Sequence, residues 1–187
     1  MDRTNPVDYF RRGISLLELL TVLAITGLLL SSAIPVFQHQ MQGSRVRTQA
    51  NTIITDLNLA RSAAIRRNGT VLLCESRDHH SCTGDSNWSE GWIVFADANR
   101  NNQRDLEEPL IRIHMGVSPG IHVTFNGAGR KGDRWLQYRP TGSAKNGTFT
   151  VCDRSGSVRP LAVIVYRTGR PRVSSQGSSG KQLECPT

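Results

Sequence analysis

The sequence predicts an α+β protein: one long N-terminal helix, over about residues 14–67, packed on a globular all-β head of antiparallel strands. Three observations carry the prediction. An apolar run near the start passes directly into an amphipathic stripe, the pattern changes after Asn68-Gly69 to short β-type segments, and all four cysteines fall in the second part. A chain of 187 residues has room for that helix and one domain of roughly 120 residues, large enough to bury its own core.

The helix is justified piece by piece. Residues 1–13 form a short polar leader ending in Arg11-Arg12-Gly13. Residues 14–37 follow, a 24-residue stretch from Ile14 to Phe37 whose only charged member is Glu18. Such a stretch reads as a transmembrane or filament-core helix, since about 20 apolar residues cross a bilayer. An overall hydrophobic content of 37% supports no second span. The two arginines ahead of it place the leader in the cytoplasm and the head outside. A secretory signal has a shorter apolar core and a small-residue cleavage site after it, and neither is present; a plain signal-anchor is the alternative. The acid inside the run costs about 2.5–3.5 kcal/mol at a membrane centre, so it marks function, unless Glu18 merely snorkels without a partner.

Residues 38–67 continue the helix with one apolar side. Val46, Ala50, Ile53, Leu57, Ala60 and Ala64 recur at helical spacing, with Arg45, Arg47, Asp56, Arg61, Arg66 and Arg67 between them. Pro35 removes one backbone bond and predicts a kink, Gly43 is a second weak point, and Gly69 suits the left-handed position after the helix end. At about 1.5 Å per residue the element is on the order of 80 Å long.

The head, residues 70–187, reads as strands near 71–75, 92–96, 110–114, 121–125, 135–138, 148–152 and 161–166. Asn126-Gly127 and Asn146-Gly147 are hairpin signals, and the Ser/Gly-rich stretch 174–181 predicts a loose tail. The net charge of +8 is uneven. Residues 1–127 carry 12 basic and 12 acidic residues, whereas 128–187 carry 11 and 3, which is the whole excess. A basic half-domain implies either an anionic partner or a well-solvated face.

Four candidate chemistries sit in the head. An even cysteine count in an exported domain predicts disulfides. Of three possible pairings, a local Cys74–Cys82 bridge with Cys152–Cys185 as the second is preferred, against zinc held by Cys74, His79, His80 and Cys82. Asp97, Asn99, Asn101, Asp105 and Glu108 match the oxygen positions of a calcium loop but lack its turn glycine, and a solvated hairpin loop is the competing reading. The tail segment 177–181 lacks phosphate-loop spacing. No nucleophile, base or paired-carboxylate arrangement points to an enzyme, and no cofactor is expected. Finally, Gly169-Arg170-Pro171-Arg172 places two arginines around a proline that holds the chain extended. Guanidiniums so spaced suit successive phosphates, with sequence-independent, salt-sensitive affinity.

Together, Gly13, Ile14, Glu18, Pro35 at position 22 after Gly13, the helix up to Asn68-Gly69 and the Gly-Trp-Ile-Val-Phe segment at 91–95 resemble the FimT/GspH minor pilins and pseudopilins. The resemblance covers essentially the whole chain, with one departure, Ile14 where the family usually has Phe. It implies a type IV pilin fold, cleavage by a prepilin peptidase after Gly13 and methylation of the new Ile14 amine. It also implies that Glu18 pairs with the N-terminal amine of a neighbouring pilin subunit during filament assembly. The expected location is the inner membrane with a periplasmic head, then the pilus. The Gly-Arg-x-Arg segment is similar to that of FimT-type pilins that bind double-stranded DNA in natural transformation. By that likeness Gly169, Arg170, Arg172, Arg167, Arg159 and Lys181 are DNA-binding candidates, with Arg154 widening the patch. The alternative is a structural minor pilin or type II secretion pseudopilin that primes or caps a filament without binding DNA.

Overall fold

The computed structural model describes residues 15–84, 87–127 and 134–185, with side chains at all of these except 32–36. The leader, Gly13, Ile14 and the Pro35 side chain lie outside the described set. Two compact units divide at Gln38/His39.

One helix, α1 (Leu16–Arg67), begins in the first unit and ends in the second. Ser15 caps it: its Oγ accepts the Glu18 amide at 3.2 Å. Ser15 and Glu18 therefore occupy the first and fourth places of a capping box, and the acid lies in the first turn, where the helix dipole favours it. The helix is uninterrupted at positions 35 and 43. It ends in two bonds, Gly69 N to Ala64 O at 3.1 Å and Asn68 N to Ile65 O at 3.2 Å. This is the Schellman pattern, but the left-handed residue is Asn68 at φ 47°, one place before the glycine expected there. Asparagine tolerates that conformation because its short polar side chain bonds locally.

In the first unit the side chains from Leu16 to Leu30 are exposed on every side, Leu16 at 77% and Leu28 at 73%. Among the described residues no helix is long and apolar enough to cross a membrane; Ile14 and the side chains of 32–36, which belong to the span expected over 14–37, lie outside the described set.

The second unit contains eight described strands. β1 (Val71–Glu75), β2 (Gly91–Ala96), β3 (Leu110–Met115) and β5 (Trp135–Tyr138) form one sheet in the order β3-β2-β1-β5. β4 (Ile121–Gly127), β6 (Gly147–Asp153), β7 (Leu161–Val165) and β8 (Pro171–Ser174) form the other, in that order. Every pairing is antiparallel. The helical stripe supplies Val46, Ala50, Ile53, Leu57, Ala60 and Ala64 to the main core, all at 3% exposure or less. They meet Leu73, Trp92 and Val94 of the first sheet and Val123, Phe149, Val151 and Val163 of the second.

Two expectations need correcting. β8 was not foreseen, because a proline opens it and an arginine and a serine fill it; proline is accepted there because β8 is an edge strand. Asn126-Gly127 and Asn146-Gly147 do not turn hairpins. Gly127 and Gly147 face each other as the last β4–β6 pair, and the chain between them leaves to build β5 in the other sheet. Gly147 is required by packing instead: a Cβ there would stand 2.4 Å from the Phe125 ring.

Candidate nucleic-acid interface

The turn between β7 and β8 holds the Gly-Arg-x-Arg segment. Tyr166 O accepts the Gly169 amide at 2.8 Å, closing a tight turn, and Val165 pairs with Pro171 across the hairpin. Gly169 sits at φ +72°, and a Cβ on it would lie 2.0 Å from Gly142 O, so no other residue fits without moving the backbone. That carbonyl in turn accepts Arg61 Nε from α1 at 3.0 Å, and the Arg167 carbonyl accepts the Ala144 amide at 3.2 Å. The arginine turn is thus braced on the helix through the 139–144 loop.

Arg167 and Arg170 are exposed on this turn, and Arg172 is exposed at the start of β8. Arg172 lies opposite Ile164, on the face of the sheet away from the main core. Arg170 precedes β8 directly, and the following proline favours an extended backbone there. Arg172 Nη2 donates to the Tyr166 hydroxyl at 3.1 Å and its guanidinium stands 5.4 Å from the ring centroid. Arg170 and Arg167 make no ion pair among the described residues.

The other basic candidates are spread out. Arg159 precedes β7 and stands at the opposite end of that strand from the turn. Arg154 lines a separate cleft of about 570 Å³ with His122, Cys152 and Cys185. His122 is pushed below its ordinary range by burial and by Arg154, so this cleft is less cationic than its residues suggest. Lys181 belongs to the tail, which is not loose. Gly177 N donates to Lys181 O at 2.9 Å, Gly180 N to Gly177 O at 3.0 Å, and Gln176 bridges Gln182. Gly180 takes φ +76° at no steric cost, which lets a Ser/Gly-rich stretch fold as a turn. The Cys152–Cys185 disulfide then fixes the tail to β6, and Cys74–Cys82 is the second bridge.

With Cys74 and Cys82 oxidised, no thiolate is left for zinc. In the Asp97 loop the carboxylates bind the loop's own donors: Asp97 accepts the Asn101 and Asn102 amides, Glu108 the Ala98 and Asp105 amides, and Asp105 both asparagine side chains. Burial pushes the Asp97 carboxyl upward. No group of three or more His, Cys, Asp or Glu that could hold a metal occurs among the described residues. The loop closes on itself, with Arg100 and Asn102 at φ 62° and 63°.

One feature of the interface went unread in the sequence. Tyr166, Asn126, Asn146, Thr148, Ile164 and Ser178 line a cleft of about 270 Å³ beside the arginine turn. These residues come from β4, β6, β7 with its turn, the loop before β6 and the tail, so no local spacing announces them.

The model of the family described as "Type II transport protein GspH" matches residues 49–169. A curated relative, pilin-like protein PilA1 of Thermus thermophilus, is 31% identical over 165 residues, covering 87% of this chain and 98% of its own. Among solved structures, the type IV minor pilin FimU of Pseudomonas aeruginosa superposes with a TM-score of 0.55 at 14% identity, over 70% of this chain and 89% of its own. The minor pseudopilin EpsH of the Vibrio cholerae type 2 secretion system does so at 0.51 and 11%, over 70% and 96%. These two show the shared fold alone. With the family match spanning most of the chain and the relative spanning nearly all of it, the chain belongs to the GspH family of minor type IV pilins and pseudopilins.

Proposed function

We propose that this chain is a minor type IV pilin that binds DNA without sequence preference, through Arg170, Arg172 and Arg167, during DNA uptake in natural transformation. One observation supports this above the rest: three exposed arginines on and directly after a turn whose shape is fixed by Gly169 against Gly142 and Arg61. Phosphates are the complementary ligand for bidentate guanidiniums. Lys181, on the neighbouring tail turn, adds to the same potential; Arg159 and Arg154, at the other end of β7 and β6, widen the patch.

The N-terminal half supports the assembly side of the reading. A prepilin peptidase cleaves after Gly13 and methylates Ile14, the helix resides in the inner membrane, and the subunit then enters a pilus. The exposed leucines along Leu16–Leu30 need an apolar cover, which a bilayer or neighbouring pilin helices supply. Glu18 pairs there with the N-terminal amine of another subunit, since a buried acid persists only with a partner.

The test is a gel shift with the fragment beginning at His39, which keeps the main core and both disulfides. Arbitrary double-stranded DNA is expected to be retarded at low salt. Arg170→Ala with Arg172→Ala is expected to weaken it at least ten-fold, at about 1–3 kcal/mol for a charged contact. A fragment that retards nothing leaves the second reading, a pseudopilin that primes or caps a filament, to which membership of the family described as "Type II transport protein GspH" lends support.

A further inference from the structure

We infer that the cleft beside the arginine turn is a nucleobase site, so that the ligand is engaged through an unpaired or single-stranded stretch as well as through its phosphates. The inference rests on the reading of the arginine turn as a DNA contact. The cleft lies wholly in the head, on the sheet face away from the main core. Asn126 and Thr148 sit opposite each other in the β4–β6 ladder, and Thr148 pairs with Ile164. They form its floor; Asn146, Tyr166 and Ser178 complete it.

Three features select a base over other ligands. About 270 Å³ is below the usual range of roughly 300–1,000 Å³ for drug-sized molecules, and suits one planar ring system. The lining offers two carboxamides, the hydroxyls of Thr148, Ser178 and Tyr166, the Tyr166 ring, and no charged group. Carboxamides present a donor and an acceptor side by side, as a base edge does. A phosphate in the cleft would meet no cation, whereas Arg172 waits just outside it, already tethered to Tyr166. Tyr166 therefore joins the two parts: its hydroxyl and ring hold Arg172 toward the backbone, and its ring is the stacking surface for a base. A base paired within a duplex cannot enter, so occupancy requires an end, a gap or a single strand.

The experiment compares three fluorescent ligands on the full chain in a non-ionic detergent, at one salt concentration: duplex DNA, single-stranded DNA and an abasic strand of equal length. The intact strand is expected to bind about ten-fold tighter than the abasic one, the size of one stacked base. Tyr166→Ala and, independently, Asn146→Ala are expected to bring that ratio close to one, and Tyr166→Phe to keep most of it. Arg170→Ala is expected to weaken both strands together and leave the ratio intact. An intact-to-abasic ratio near one for the unaltered chain overturns the base site while leaving the phosphate contact standing. Failure to bind any of the three ligands overturns both.

Discussion

Asp56 sits on the helix at 3% exposure and accepts Trp92 Nε1 at 2.9 Å, with Arg112 Nε and His114 Nδ1 each at 3.7 Å. His114 lies flat on the Trp92 ring, centroids 3.9 Å apart. The carboxylate is thus fed by an indole and faced by a guanidinium, as a buried acid must be. Asp56→Ala leaves the indole N–H unsatisfied, and thermal or denaturant melts of the head should show a loss of about 2–3 kcal/mol; a variant as stable as the parent would contradict this. Acid should act through the same cluster. Burial lowers His114 below 6.5, outweighing the pull of Asp56, and burial with Arg154 does the same to His122. Both rings are then neutral when folded and take up a proton more readily when unfolded. Stability should be flat above about pH 7 and should fall as pH drops below 6.5, with a lower Tm at pH 5.5 than at 7.5. Equal melting at the two pH values would show that neither ring is disfavoured as the cation.

At the scale of elements, the β7–β8 turn carries the proposed DNA contact on a fixed backbone shape. Gly169→Ala would place a side chain at φ +72° and 2.0 Å from a carbonyl. The left-handed conformation alone costs about 1–3 kcal/mol, so the variant should lose at least that stability and some DNA affinity with every arginine still present. Unchanged affinity would mean that the turn's shape does not matter. The elements differ in how far the sequence reveals them. The helix stripe from Val46 to Ala64 was legible because burial on one side imposes a 3.6-residue period. Seven strands were legible from β-branched and aromatic runs. β8 was not, since an edge strand facing solvent needs no apolar alternation and can open on Pro171. The hairpin signals at Asn126 and Asn146 misled because the glycines after them serve a ladder end and the Phe125 ring.

For the whole molecule, two disulfides and one charge asymmetry set the design. Cys152–Cys185 spans 33 positions and encloses Arg170, Arg172 and Lys181; closing such a loop is worth about 3–4 kcal/mol by chain entropy. The bridge keeps the tail against the sheet and Ser178 at the cleft. The proposed arginine segment is contiguous in the chain and so visible as a motif, whereas the cleft is not, because its lining is assembled by topology from distant positions. At the other end, Glu18→Ala should reduce incorporation into filaments while the head stays folded, since Ser15 caps the helix through the Glu18 amide and needs no carboxylate. Normal incorporation would count against the ion pair.

The central claim is that the arginine turn contacts phosphates, and salt reads this directly. Each phosphate neutralised on a duplex contributes about −0.9 to the slope of log affinity against log salt. Anisotropy titrations of the head with one duplex, across a range of salt, should give a steep negative slope that becomes shallower by about two in Arg170→Ala with Arg172→Ala. A slope that is the same in both proteins would contradict the account.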